Sequence, residues 1–431
     1  MTQFETDDDP RPVDRAAREP ESTGKLQQNP LSLRPDLALF PLDDDVVVFS
    51  EEAQCLMGLN ASAARVVGEI QAGTPVSLIE RQLISEGTIS PGEATQWVTT
   101  VLDALASHGL LSKGAAPFGQ PAGPPDENAR LVRLAREMPP YAPVNPVAEQ
   151  HYRLLDTCAL IRFGHLAQMR MVNTVIGHLA TDDSCVPTVT MEIQAKILEN
   201  KHLRSNVYRD GTPVGYAPRL SVLGPVVKAA LWQSAVNAHD FLFYIHAGVV
   251  GMDESCMLLP AAAGSGKSSL TAALSHGGFR YFSDEVALIE RTTFKVPPVP
   301  LAICVKSTGW DLMARFYPDI LTLPMHHRDD GKDVRYIPPP AGAAQQPPAP
   351  VSHIIFPRHE KDAPTELKPI TRSEALGRLM GECQALRRRL DQKNVGQLVR
   401  WIAGIDCYAL TFSSLEDAVG RIAQVTASEN L

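Results

Sequence analysis

Nothing in the chain approaches the roughly twenty consecutive apolar residues that a membrane-spanning helix needs. Its opening, MTQFETDDDPRP, lacks the basic-then-apolar profile of a secretory signal. Cysteine is sparse: Cys55, Cys158, Cys185, Cys256, Cys304, Cys383 and Cys407 are scattered and include no CxxC pair. That spread, with an odd total of 7, predicts reduced thiols rather than a disulfide framework or a zinc site. An excess of base is missing as well. The 40 Lys and Arg against 49 Asp and Glu give a net charge of −9, which speaks against nucleic acid as the main partner. These absences predict a cytoplasmic protein with neither a membrane nor a nucleic acid as partner. At 431 residues and 44% hydrophobic content, the chain can bury the cores of two or three domains.

What is present is concentrated between Tyr244 and Ile289. Met257-Leu258-Leu259 is a short apolar run ending at Pro260, and AAAGSGKS from Ala261 to Ser268 follows with the spacing of a P-loop. Ala261 stands where the pattern has its first glycine. Gly264 and Gly266 let the backbone turn its N–H groups inward around a polyphosphate. Lys267 can reach the β and γ phosphates, and the Ser268 hydroxyl can ligate Mg²⁺. A helix opening near Lys267 adds its positive end to the same anion site. The expected nucleotide-binding residues are therefore Ala263, Gly264, Ser265, Gly266, Lys267, Ser268 and Ser269, with ATP and Mg²⁺ as cofactors. Downstream, GFRYFSDEVALI places Asp284 and Glu285 together at a strand margin. A strand-end carboxylate ligates Mg²⁺ in P-loop proteins, and adjacent acids on a strand point to opposite faces, so one of the two faces the phosphates.

Around this stretch the chain divides by composition. Residues 1–30 are acidic, then mixed in charge, with few apolar residues, and read as a disordered lead-in. Residues 31–113 form a small unit. Leu37–Phe40 and Val46–Phe49 read as strands around the turn Asp43-Asp44-Asp45, and Leu56–Asn60 leads into a helix capped by Asn60 or Ser62. Two more helices follow Ser77 and Pro91. The order is winged-helix-like, without the basic face that DNA requires. Residues 114–130 (GAAPFGQPAGPPDENAR) are a Pro/Gly-rich linker. Beyond it, Tyr152–Phe163 and Val186–Gln194 read as strands, Asp210-Gly211 as a hairpin turn, and Leu223–Ala238 as a helix, which predicts an antiparallel sheet packed on the nucleotide core. His151, His165 and His178 lack metal-ligand spacing. Pro338–Pro350 reads as a flexible segment, a lid or a surface loop. Thr371–Arg400, Cys407–Thr411 and Ser414–Thr426 read as helix, strand and helix.

Two resemblances become visible at this point. Residues 31–113, through Val48-Phe49-Ser50-Glu51, Leu59-Asn60-Ala61-Ser62-Ala63 and the helix carrying Ile70, resemble the PqqD-like domains that recognise leader peptides in ribosomally made, modified peptide pathways. The resemblance implies that a leader adds as a strand to an exposed sheet edge. His246-Ala247-Gly248, the loop 261–268, and Gly278-x-Arg280-x-x-x-Asp284-Glu285 together resemble the C-terminal domain of bacterial HPr kinase/phosphorylase. This implies residues 131–431 as an α/β catalytic domain with a P-loop kinase core of the HPr kinase and phosphoenolpyruvate carboxykinase type. It also implies ATP-dependent phosphorylation of a serine hydroxyl. Carried over, Asp284 is the general base, His246 lies beside it, Lys267 binds phosphate, and Ser268 and Glu285 lie at the metal. Lys306 and Arg335 take the place of cations facing the transferring phosphoryl group, by likeness to HPr-kinase-related proteins fused to PqqD-like domains. No stretch matches the family's Glu-x-Arg-Gly-x-Gly block, so neither HPr as substrate nor its assembly carries over, and homo-oligomerisation stays open.

The expected function is a peptide serine or threonine kinase whose front unit holds the precursor's leader. A short flexible linker would raise the local acceptor concentration to the millimolar range. The alternatives are a kinase of a small hydroxylated molecule, or a non-catalytic ATP-gated peptide chaperone.

Overall fold

The computed structural model describes residues 32–86, 90–112, 133–134, 136–182, 185–198, 202–262, 264–386 and 389–428. The expected lead-in (1–30), the linker (114–130) and Ala263 lie outside the described residues. The chain folds as a mixed α/β protein.

In the N-terminal unit, β1 (Leu37–Leu42) and β2 (Asp45–Ser50) pair antiparallel, and β3 (Cys55–Leu59) adds to the far side of β2. Asn60 rather than Ser62 caps α1 (Ala61–Gln71), its Oδ1 accepting the Ala63 N–H at 2.8 Å. Two helices follow, α2 (Val76–Ser85) and α3 (Pro91–Ser107), the latter opened by a Ser90/Glu93 capping box. Strand alternation gives β2 two buried faces. Val48 points into the unit's own core with Val66, Val67, Val98 and Leu105. Val47 and Phe49, with Leu42, are buried instead against the C-terminal part of the chain.

The next sheet runs β4 (Ala148–Leu154), β5 (Thr157–Phe163), the helix α4 (Leu166–Ile176), β6 (Ala180–Thr181), β7 (Val189–Ile197), β8 (Leu203–Arg209) and β9 (Thr212–Ala217). The single strand expected over Tyr152–Phe163 is a hairpin, because Leu155 turns through a positive φ of 52°. The sheet is mixed rather than antiparallel: β5 pairs parallel to β7, with α4 in the crossover between them. That crossover brings Cys158 and Cys185 together as a disulfide, which corrects the expectation of seven reduced thiols; the other five are free. Their separation of 27 residues hid the pairing. The helix α5 (Leu220–Ala238) then packs across this sheet and α4.

The central sheet has the order β13-β11-β12-β18-β21-β19, built from β11 (Ala247–Met252), β12 (Ser255–Pro260), β13 (Arg280–Ser283), β18 (Val351–His359), β19 (Glu366–Pro369) and β21 (Asp406–Phe412). Its strands β12, β18 and β21 are parallel neighbours. One face (Val250, Met257, Leu259, Ile355) is covered by α6 (Lys267–His276) and α10 (Leu415–Ser428). The other (Val249, Leu258, Ile354, Phe356) is covered by α8 (Arg372–Gly381), α9 (Gln392–Ile402) and the N-terminal unit. Two three-stranded sheets flank it. One orders β14 (Ala287–Glu290), β10 (Phe241–Ile245) and β20 (Cys383–Leu386); the other orders β15 (Ile303–Lys306), β17 (Asp333–Ile337) and β16 (His326–His327), with the short α7 (Trp310–Met313) following β15.

The Pro-rich segment 338–350 is a mostly exposed surface loop, anchored where Ala343 is buried and where Gln346 Nε2 donates to the Tyr281 carbonyl at 3.1 Å, and one further expectation is corrected. The helix expected over Thr371–Arg400 is broken by β20, which pairs with β10.

Candidate active site

The site begins where β12 runs out at Pro260 and α6 starts at Lys267. Gly264 and Gly266 hold positive φ values of 95° and 87°, which a side chain would strain. A Cβ on Gly266 would also come within 3.0 Å of His359 and Phe412. The loop is tied to β18 by the His359 N–H, which donates to the Ser265 carbonyl at 2.9 Å. Behind α6, Gly248 leaves room for Thr271, whose Oγ1 would lie 2.2 Å from a Cβ there. The His-Ala-Gly stretch thus lets the helix approach β11.

Lys267 is buried and folds back so that Nζ donates to the Ala261 carbonyl at 3.3 Å. Burial pushes its pKa down to about 8, against the charges of Asp284, Glu382 and Glu285. Asp284, in the turn between β13 and β14, is 1% exposed. Neither of its carboxylate oxygens has a hydrogen bond among the described residues. Burial, and then the Glu285 charge, push its pKa up to about 6, with Lys267 and the Ser268 hydroxyl pulling the other way.

Glu285 points elsewhere. Its Oε2 accepts from Lys228 Nζ at 2.8 Å, and that ammonium also lies 5.3 Å from the centre of the Tyr336 ring. Burial works to raise the Glu285 pKa, but the Lys228 charge and hydrogen bond outweigh it and hold the group below its usual value. His246, between β10 and β11, donates from Nδ1 to the Glu285 carbonyl at 3.0 Å; a carbonyl only accepts, so Nδ1 carries the proton and Nε2 is the free acceptor nitrogen. Burial, then the Lys267 charge, lower its pKa and keep the ring neutral.

The structure therefore gathers the glycine loop, Lys267, Ser268, Asp284, Glu285 and His246, and Lys306, at the end of β15, is close enough for its charge to bear on Lys267 and His246. Arg335 has its partners outside this group. Its Nη1 donates to the Ile320 carbonyl at 2.7 Å, and its guanidinium stacks 4.4 Å from the centre of the Trp310 ring. Sequence reasoning missed Lys228 and Glu382. Lys228 did carry a signal, as the sole charge in the apolar helix LSVLGPVVKAALWQSAVNA. Glu382 carried none, since it sits inside a stretch read as one helix.

For a divalent cation, the buried Asp284 carboxylate and the Ser268 hydroxyl beside it are hard oxygen donors of the type Mg²⁺ takes. Glu285 already has a cation partner in Lys228. Among the described residues no helix is long and apolar enough to cross a membrane.

Fold and site together define a mixed α/β protein in which a glycine loop, a buried lysine and a buried carboxylate converge. No protein-family model and no curated protein matches the chain. Among solved structures, TbiB1 in complex with the TbiA(beta) leader peptide is similar over 20% of this chain and 99% of that one, at 21% identity and a TM-score of 0.19. The HPr(Ser) kinase/phosphatase from Coxiella burnetii is similar over 43% of this chain and 98% of that one, at 15% identity and a TM-score of 0.19.

Proposed function

We propose that the chain is a Mg-ATP-dependent kinase that phosphorylates a serine or threonine hydroxyl on a ribosomally made precursor peptide, recruited by its leader to residues 31–113. The observation that carries this reading is Asp284, a carboxylate 1% exposed at the glycine loop, with no hydrogen bond to either oxygen among the described residues. Leaving such a group unsatisfied costs on the order of 1–3 kcal/mol. A pKa raised to about 6 suits a general base working near neutral pH.

The loop N–H groups and the N-terminus of α6 receive the polyphosphate, and Lys267 exchanges the Ala261 carbonyl for phosphate oxygens. Bound Mg²⁺, with the Ser268 hydroxyl among its ligands, would offset charge on the phosphates and leave Asp284 to take the proton. The acceptor hydroxyl loses its proton to Asp284 as its oxygen bonds to the γ-phosphorus, and the bond to the bridging oxygen breaks to release ADP. Lys306 adds a cation at the rim, and neutral His246 is fixed through the Glu285 carbonyl. Glu285 would join the metal only by giving up Lys228, and Arg335 would face the phosphoryl group only by leaving Trp310. For the leader, β3 has β2 on one side and no strand on the other among the described residues, a template for strand addition.

The test is mass spectrometry of a precursor peptide that binds the protein, sought among any short reading frames beside the gene, after incubation with the protein and Mg-ATP. The expected result is a gain of one phosphate on a serine or threonine. An unchanged peptide mass, with Mg-ATP and peptide both bound, overturns the kinase reading in favour of an ATP-gated chaperone.

A further inference from the structure

One edge of the central sheet collects an end from each of its strands, in the order in which they lie. β12 ends there at Pro260 and opens into the glycine loop. On one side of it β11 runs antiparallel, with Ala247 opposite Pro260, which puts His246 at the same edge. β13 pairs back onto β11 with Ser283 opposite Val249, so Asp284 emerges there too. On the other side β18 and β21 run parallel to β12 and finish at His359 and Phe412, which lie opposite one another. β19 returns antiparallel with Glu366 opposite Thr411, and Thr365 therefore stands beyond Phe412. Along the edge the order is Asp284, His246, glycine loop, His359, Phe412, Thr365, with about 4.8 Å from strand to strand.

The two sides of the loop are built differently. Toward Asp284 the edge is closed by the pair of Lys228 and Glu285. Toward β18 it is open. The exposed His359 ring stands edge-to-face on the buried Phe412 ring, 5.6 Å between centres. A Cβ on Gly266 would lie 3.0 Å from both residues, so the imidazole adjoins the loop directly. The segment after it is pinned: the Glu360 N–H donates to the Phe412 carbonyl at 2.9 Å, and Ser413 Oγ donates to the Ala363 carbonyl at 2.7 Å. Beyond Thr365 a groove of about 420 Å³ runs along the face of α10 that carries Asp417, Arg421 and Gln424.

We propose that the nucleoside half of the nucleotide lies across the ends of β18 and β21, stacked on His359, with its polar edge toward the groove. The inference rests on the glycine loop being the triphosphate site and Asp284 the base. The reacting phosphate then points along the edge toward Asp284 and His246. Three phosphates in one loop put the nucleoside at the opposite end, and that end leaves toward β18. The carboxyl ends of parallel strands are where open α/β sheets receive ligands, and only this side of the loop has them. His359 offers the base a ring already held by Phe412, and the groove offers carboxylate, guanidinium and amide groups to its polar atoms.

The test uses the full chain and calorimetry with two ligands, Mg-ATP and Mg-tripolyphosphate. His359→Ala removes an exposed side chain and leaves the backbone bond to Ser265 in place. It should raise the Kd for Mg-ATP by about fivefold or more, the lower range of ring-on-base stacking, and that for Mg-tripolyphosphate by less than about twofold. His359→Phe keeps a ring and should keep most of the ATP affinity. An azido-ATP photolabel, mapped by peptide mass spectrometry, should mark residues 359–365 or 416–424. Equal weakening of both ligands, no weakening of either, or a label on the Asp284 side in β14 or β15 overturns the inference alone. A wild-type protein that binds neither ligand overturns the phosphate-site reading, and this inference with it.

Discussion

Lys228 Nζ lies 2.8 Å from Glu285 Oε2, and this contact sorts two adjacent acids into different roles. Glu285 is paired with a cation from α5, while the Asp284 carboxylate is buried with no hydrogen bond to either oxygen among the described residues. The pairing also restrains the turn in which Asp284 sits.

Breaking that pair should be costly from either side. Lys228→Met leaves a largely buried carboxylate unpaired, and unfolding by urea should show a loss toward the lower end of the roughly 3–5 kcal/mol typical of broken buried pairs, because Glu285 is 33% exposed. The double variant Lys228→Met/Glu285→Gln should recover most of it. A single variant as stable as the wild type would show that the pair contributes nothing.

Asp284→Asn should trade activity for stability. Phosphate incorporation should fall by at least about 10²-fold, the scale of a positioned general base, with much smaller changes in ATP affinity. The folded-state pKa of Asp284, about 6, lies above its ordinary 3.8, so between those values the native state binds more protons than the unfolded one. Stability therefore falls as pH rises through that window, and above about 6 the full cost, on the order of 3 kcal/mol, is in place. The asparagine variant should be the more stable protein at neutral pH and should lose that advantage below pH 3.8. Equal unfolding free energies at neutral pH would contradict the burial-driven shift.

Lys267 makes nucleotide binding proton-linked. Its pKa of about 8 must rise when phosphate replaces the Ala261 carbonyl. Above about pH 8, binding should take up a proton, and near neutrality it should take up little. Calorimetry in two buffers of different ionisation enthalpy reads this directly. Lys267→Ala should lose ATP binding with the fold intact and show no uptake from this position; unchanged ATP affinity would remove the lysine from the phosphate site.

Separating the two units should expose core rather than linker. Leu42, Val47 and Phe49 are each no more than 2% exposed, against α8, α9 and the central sheet. The fragment 32–112 should retain leader binding at the β3 edge but self-associate through that apolar face. The fragment from residue 131 should bind ATP with a lowered unfolding midpoint. Light scattering and melting curves on the two fragments check this; a monomeric front fragment with an unaltered partner would mean that the face contributes little.

Much of this site was legible because its chemistry is local in sequence. The loop 261–268, the helix at Lys267 and the Asp284-Glu285 turn lie within one stretch, where residue type and spacing decide the conformation. What could not be read depends on contacts between distant segments. Lys228 meets Glu285 across 57 residues, and the Cys158–Cys185 pairing follows from a parallel crossover that hydrophobic alternation does not distinguish from a hairpin. The run from Thr371 to Arg400 has helical periodicity at both ends. Only pairing with β10 breaks it at Cys383–Leu386, so tertiary context there overrides local propensity.

The buried contact between β2 and α8–α9 changes what a substrate must satisfy. With the front unit seated on the core at both of its turns, the separation between the β3 edge and Asp284 is a fixed span rather than a distribution set by a loose tether. Such a geometry works as a ruler. If a precursor's leader adds to β3 as proposed, the hydroxyl presented to Asp284 would be selected by its distance along the chain from the leader. Inserting Gly-Ser steps between leader and acceptor should then move phosphorylation to whichever hydroxyl falls at the old count, whereas modification that stays on the original residue would point to recognition of local sequence instead.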